Sequence, residues 1–149
     1  MKRLRLKARL DRPVIVAHRD LVRRRKFVYL LVSRKPRPYR HGRSRILYIG
    51  TTKRGASRLA ASIAENAEEI LELHGVTEVS AYVVECAGRR GDQSWLKLES
   101  ALLAAFRHRY YELPFRNGQG PRRWEDREHG RLFNRKRVVE LLSRFERSA

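Results

Sequence analysis

The sequence predicts an α+β fold: a small, mostly antiparallel β-sheet flanked by helices. Three observations predict it. Two β-type runs, FVYLLVS at 27–33 and ILYIG at 46–50, stand close enough to pair as a hairpin. A third run, at 76–86, follows a helical segment. Three further stretches carry apolar residues at helical spacing.

The elements follow in order. At the start, Leu4, Leu6, Ala8 and Leu10 alternate with Arg5, Lys7 and Arg9, which is strand periodicity with one basic face. Asp11-Arg12-Pro13 reads as a turn and Pro13–His18 as a second strand. Residues 1–26 thus form a basic extension, and 27–149 a single domain holding three core strands. The first two core strands are joined by Arg34–Arg45, which contains Pro36, Pro38 and Gly42 and reads as a long basic loop. Ser57–Leu73 reads as a helix, with Leu59, Ile63, Ile70 and Leu73 on its apolar stripe and Gly75 as terminator. After the strand at 76–86, Ser94 is placed to cap a helix running to Tyr110, with Trp95, Leu98, Leu102 and Ala105 inward. An irregular basic loop, PFRNGQGPRRW, spans 114–124. Asn134 is placed to cap a last helix, with Val138, Leu141, Leu142 and Phe145 inward.

Composition excludes several classes. A chain of 149 residues supports one domain with a real core. A single cysteine, Cys86, excludes an internal disulfide framework and a cysteine-built zinc site. Apolar runs reach only six residues, too short to span a membrane. No apolar stretch follows the basic start, so no secretory signal is expected. The expected location is intracellular, in the cytoplasm and on the nucleoid.

Charge points to a partner. The net charge is +19, carried by 28 Arg and 7 Lys against 16 acids. Residues 1–58 hold 20 of those cations and only two acids, Asp11 and Asp20. Self-repulsion in that half goes uncompensated unless a polyanion is present, and nucleic acid is the commonest one. Expected phosphate contacts are Lys35, Arg37, Arg40, Arg43 and Arg45 in the hairpin, Lys53 and Arg54 after it, and Arg122 and Arg123 in the late loop.

A second group of residues suggests chemistry. Tyr29 lies in the first core strand and Tyr48 in the second. Gly50 ends that second strand, and Arg58 opens the following helix. Glu99 sits among Leu98, Ala101, Leu102 and Leu103 in the later helix, and Asn117 follows in the basic loop. Either tyrosine alone is an ordinary strand aromatic. The ordered set is more specific than its parts.

This order resembles the GIY-YIG nuclease family across about residues 27–120. Tyr48-Ile49-Gly50 with Arg58 eight residues on resembles the second half of the family signature, and Val28-Tyr29 stands where its first tyrosine motif lies. The resemblance implies a Mg²⁺-dependent DNA endonuclease, with Mn²⁺ able to substitute. Glu99 would be the metal ligand and Arg58 would stabilise phosphate charge. Tyr29 or Tyr48 would help deprotonate water, and Asn117 matches the family's late asparagine. Tyrosine, with a free pKa near 10, needs nearby cations for that role, such as Arg58, the metal or Lys53. The sequence departs from the pattern at Phe27, where a motif glycine is absent, and at Ser62, where many members carry histidine. His41 is one candidate to supply that histidine.

The implied partner is DNA, double-stranded or branched, with RNA as an alternative and a protein partner or homodimer left open. Two other readings compete: a non-catalytic nucleic-acid-binding protein on the same scaffold, and a ribosome- or nucleoid-associated structural protein.

Overall fold

The computed structural model describes residues 23–73, 75–86, 93–118, 120 and 133–147. It is an α+β domain built on a three-stranded antiparallel sheet. The chain order is β1 (Phe27–Pro38), β2 (Arg43–Thr52), α1 (Ala56–Glu72), β3 (Val79–Val84), α2 (Ser94–Tyr110) and α3 (Arg135–Arg147). In space the order is β2-β1-β3, so the first strand lies in the middle. The strands expected within residues 1–26, together with Arg122 and Arg123, lie outside the described residues.

A central strand is covered on both faces, and the β1 sequence answers to that position. Phe27 to Val32 are all buried, an unbroken apolar run rather than an alternation. Val28, Leu30 and Val32 face α2 and α3, where Leu98, Leu102, Phe106, Val138 and Leu142 complete one core. Phe27, Tyr29 and Leu31 face α1, against Leu59 and Ile70. The domain is therefore three layers, with α1 on one face of the sheet and α2 and α3 on the other.

Register and a bulge decide which β2 side chains reach the α1 face. Tyr29 pairs with Gly50, Leu30 with Ile49, Leu31 with Tyr48 and Val32 with Ile46. Leu47 is skipped at the register shift. The extra residue lets Leu47 and Tyr48, neighbours in sequence, both join the α1-side cluster.

The expected long loop at 34–45 is a correction. β1 continues to Pro38 and β2 begins at Arg43, leaving only a tight turn. Tyr39 N–H donates to the Gly42 carbonyl at 3.0 Å, and Gly42 takes φ +83°, a value a side chain would strain. The prolines that suggested a loop lie past Ser33, the last β1 residue paired with β3, where β1 has only one neighbour. The buried Tyr39 anchors the turn, donating to the Ile46 carbonyl at 2.6 Å.

Helix boundaries fall within a residue or two of expectation, but one cap differs. Ser94 is the first residue of α2; Gln93 precedes it in the left-handed region and makes no side-chain cap. Asn134 does cap α3, its Oδ1 accepting from Lys136 N–H at 2.9 Å. No helix among the described residues is long and apolar enough to cross a membrane.

Candidate active site

Two of the sequence-nominated residues, Tyr29 and Tyr48, meet on the α1 face of the hairpin, and Arg58 and Glu99 lie near enough to act electrostatically on Tyr48. The rings of Tyr29 and Tyr48 have centroids 5.8 Å apart. They meet because Leu31 pairs with Tyr48 and Tyr29 with Gly50, placing both tyrosines on the α1 face. Gly50 is required by the same geometry, since the Tyr48 ring occupies the space that a Cβ there would need.

The two hydroxyls have different surroundings. Tyr29 is buried, and its hydroxyl is 2.6 Å from the Ser62 hydroxyl. Ser62, on the expected histidine position, therefore takes up the tyrosine from below. Tyr48 is only half-buried. Burial pushes its pKa well above the ordinary value, and the Tyr29 hydroxyl and the Glu99 carboxylate push the same way. The Arg58 guanidinium opposes them but does not prevail. Among the protein's own groups desolvation outweighs the Arg58 guanidinium, so lowering the Tyr48 pKa for the base role would fall to a bound metal.

Those electrostatic contacts also locate Arg58 and Glu99. Arg58 is exposed and bonds Glu65 at 2.9 Å along α1. The Glu65 carboxylate, and after it Tyr29 and Tyr48, favour its charged form. An exposed pair of this kind contributes about 0–1 kcal/mol, so a phosphate can readily displace Glu65. Glu99, in the second turn of α2, is partly exposed and acts electrostatically on Tyr48.

Asn117 is held by the backbone of β2. Its Oδ1 accepts from Ile49 N–H at 2.9 Å, and its Nδ2 donates to the Ile49 carbonyl at 2.8 Å. Arg116 N–H donates to the Leu47 carbonyl at 2.9 Å. The 116–117 segment thus satisfies the free edge of β2 and holds the strand bearing Tyr48 and Gly50. Both ends of the Asn117 amide are engaged, so it is a positioning residue.

A polar network went unrecognised in the sequence. Ser62 and Asn66 are buried one helical turn apart, in line with Leu59 and Ile70. Asn66 Nδ2 donates to the Ser62 carbonyl at 2.7 Å, and Arg116 Nε donates to Asn66 Oδ1 at 3.1 Å. Arg116 also bonds Glu69. A chain of contacts therefore runs from Tyr29 through Ser62 and Asn66 to Arg116. The signal was present as the 59, 62, 66, 70 spacing, with polar residues standing at core positions.

His41 does not join the site. It lies in the hairpin turn, at the far end of the ladder from the Tyr29–Gly50 pair, with its ring 5.1 Å from that of Tyr111. Several hairpin cations are also engaged by the hairpin and its neighbours, although Arg43 stays exposed. Arg45 Nε donates to the Ser33 carbonyl at 2.8 Å, Arg43 to the Pro36 carbonyl at 2.9 Å, and Arg37 lies 3.9 Å over the Phe115 ring. Lys35, Arg40, Lys53 and Arg54 are exposed.

Among the described residues no group of three or more His, Cys, Asp or Glu converges. The donor set beside Tyr48 is a single carboxylate, Glu99. One carboxylate with retained waters fits Mg²⁺, a hard cation that dehydrates reluctantly.

No protein-family model, curated protein or solved structure matches the chain.

Proposed function

We propose that the chain is a Mg²⁺-dependent DNA endonuclease of the GIY-YIG type. The observation that carries this reading is the Tyr29–Tyr48 ring contact at 5.8 Å, with Arg58 and Glu99, from α1 and α2, each near enough to act electrostatically on Tyr48. A structural core has no need for an arginine, a carboxylate and two tyrosines around one half-open position.

In this reading a DNA phosphate displaces Glu65 from Arg58. The guanidinium then faces the charge that builds on the phosphoryl oxygens as water attacks. Glu99 holds a Mg²⁺, which supplies Lewis-acid neutralisation of the phosphate when bound. Tyr48, the more open tyrosine, meets the attacking water. Tyr29, tied to Ser62, fixes the Tyr48 ring from behind. The P–O bond to the leaving oxygen breaks as the new P–O bond to water forms; ionised Tyr48 takes the water's proton, solvent protonates the leaving oxygen, and the two strand ends carry a phosphate and a hydroxyl.

The test is cleavage of supercoiled plasmid with Mg²⁺ or EDTA, for wild type and Glu99→Ala side by side. Cutting that needs both Mg²⁺ and Glu99 is expected. Equal cutting by Glu99→Ala would overturn the assignment. The Arg58–Glu65 pair and the raised Tyr48 pKa favour one second reading, nucleic-acid binding without cleavage. A shifted but uncut plasmid in both proteins would select it.

A further inference from the structure

Four arginines line one cavity beside the first turn of α1. Arg23, Arg24, Arg25 and Arg54 surround a space of ≈ 350 Å³, with Gly55, Ala56, Ser57 and Ala60 as the remaining wall. Among the described residues no acidic one lines it, and none stands in the first turn of α1. Arg24 shares its charge with Glu85 at 3.1 Å. The fold itself brings the cations together: Gly55 N–H donates to the Arg25 carbonyl at 3.0 Å, which fastens the segment before β1 to the turn after β2. Four arginines on one cavity wall make its surroundings strongly positive, and guanidinium forks suit phosphate oxygens.

We propose that this cavity binds a backbone phosphate of the nucleic-acid strand, beside the phosphate that Arg58 contacts. The inference rests on the nuclease reading for the path of the strand: Arg58 leaves the first turn of the same helix whose start walls the cavity. A strand held at Arg58 then continues into the arginine cluster. The cavity fixes its direction across α1 and contributes affinity without touching a base.

The experiment uses the full chain in EDTA, with a short fluorescein-labelled DNA duplex followed by anisotropy across a salt series. The variant is Arg23→Gln/Arg25→Gln, which leaves the Arg24–Glu85 pair and every backbone bond intact. The control is Arg107→Gln/Arg137→Gln, an equal loss of charge on the α2–α3 side of the sheet. The slope of log affinity against log salt should fall by about 0.9 for the phosphate lost, with about a five-fold or larger loss of affinity, and the control should move less. Equal effects in variant and control, or no effect in a variant with unchanged circular dichroism, would overturn the proposal. Inorganic phosphate at constant ionic strength should displace DNA from wild type more than chloride does, and should lose that advantage in the variant. Phosphate that binds wild type but not the variant, without displacing DNA, would show that the cavity holds free phosphate and would overturn the strand assignment. Cleavage assays separate the two ideas: Arg23- and Arg25-dependent binding without Mg²⁺-dependent cutting would sink the nuclease reading alone.

Discussion

The Tyr48 ring lies directly over Gly50: a Cβ on that glycine would stand 2.5 Å from Cε1 and 2.8 Å from the hydroxyl oxygen of Tyr48. The glycine therefore serves the tyrosine's position. Gly50→Ala must push the ring aside, away from Tyr29. The expected result is a folded protein with plasmid cleavage reduced at least about ten-fold, a loss typical of a misplaced reacting group. Circular dichroism and a cleavage time course, run together, check both halves. Full activity in the alanine variant would remove Tyr48 from the chemistry.

The Tyr29–Ser62 bond is buried, and each partner has a second contact: the Tyr29 hydroxyl bonds Tyr48, and Ser62 Oγ accepts from Asn66 Nδ2 at 3.5 Å. Ser62→Ala should cost about 0.5–1.5 kcal/mol. At this chain length that lowers Tm by roughly 4 °C per kcal/mol. The double change Tyr29→Phe/Ser62→Ala removes both polar atoms and should cost less than the two single changes added together. Strict additivity in urea melts would show that the bond contributes nothing.

Tyr48 keeps its proton at neutral pH because burial, Tyr29 and Glu99 all raise its pKa. Below that pKa the ionised fraction grows ten-fold per pH unit. If Tyr48 is the base, cleavage should therefore climb with pH across the alkaline range. Tyr48→Phe should flatten the profile as well as lower the rate. A Phe variant that retains the same slope would assign the pH dependence elsewhere.

Alkaline stability has a separate origin. Burial holds the Tyr39 hydroxyl at a pKa of about 12, and burial together with Glu146 does the same for Tyr110. An unfolded tyrosine titrates near 10. The contribution of these groups is complete below pH ~10, where both states are protonated. As pH rises from ~10 towards about 12, the unfolded chain loses protons first and stability falls. Thermal melts at stepped pH should show Tm falling above pH ~10, and more gently in Tyr39→Phe. An unchanged Tm up to pH ~11.5 would contradict the burial effect.

Much of this was legible in the sequence. The run from Phe27 to Val32 and the YIG strand announce themselves by composition, and the stripes of all three helices by period. The residues brought together around Tyr48 could be named because their order along the chain is unusual. What stayed hidden depends on the third dimension. Arg34–Arg45 reads as a loop because its prolines and charges suit one, yet a strand with a single neighbour tolerates both. Arg37, Arg43 and Arg45 count as free cations in a sequence, but the hairpin uses them on its own carbonyls and on Phe115. Asn117 looks catalytic by position, whereas its amide meets the one β2 residue with a free N–H and carbonyl between the site residues. Ser62 and Asn66 disrupt an apolar stripe that their own hydrogen bonds complete.

The central place of β1 also governs how the protein comes into being on the ribosome. The strand that ends up in the middle is the first of the three to be made. β2 follows at once and covers one of its edges. The second edge waits for β3, and the face carrying Val28, Leu30 and Val32 waits for α2, whose last residue is Tyr110. At about 5–20 residues per second, that apolar face goes uncovered for several seconds of synthesis. Premature termination before α2 would leave it uncovered for good. A nascent chain halted there is a natural client for a holding chaperone and a poor candidate for a stable fragment.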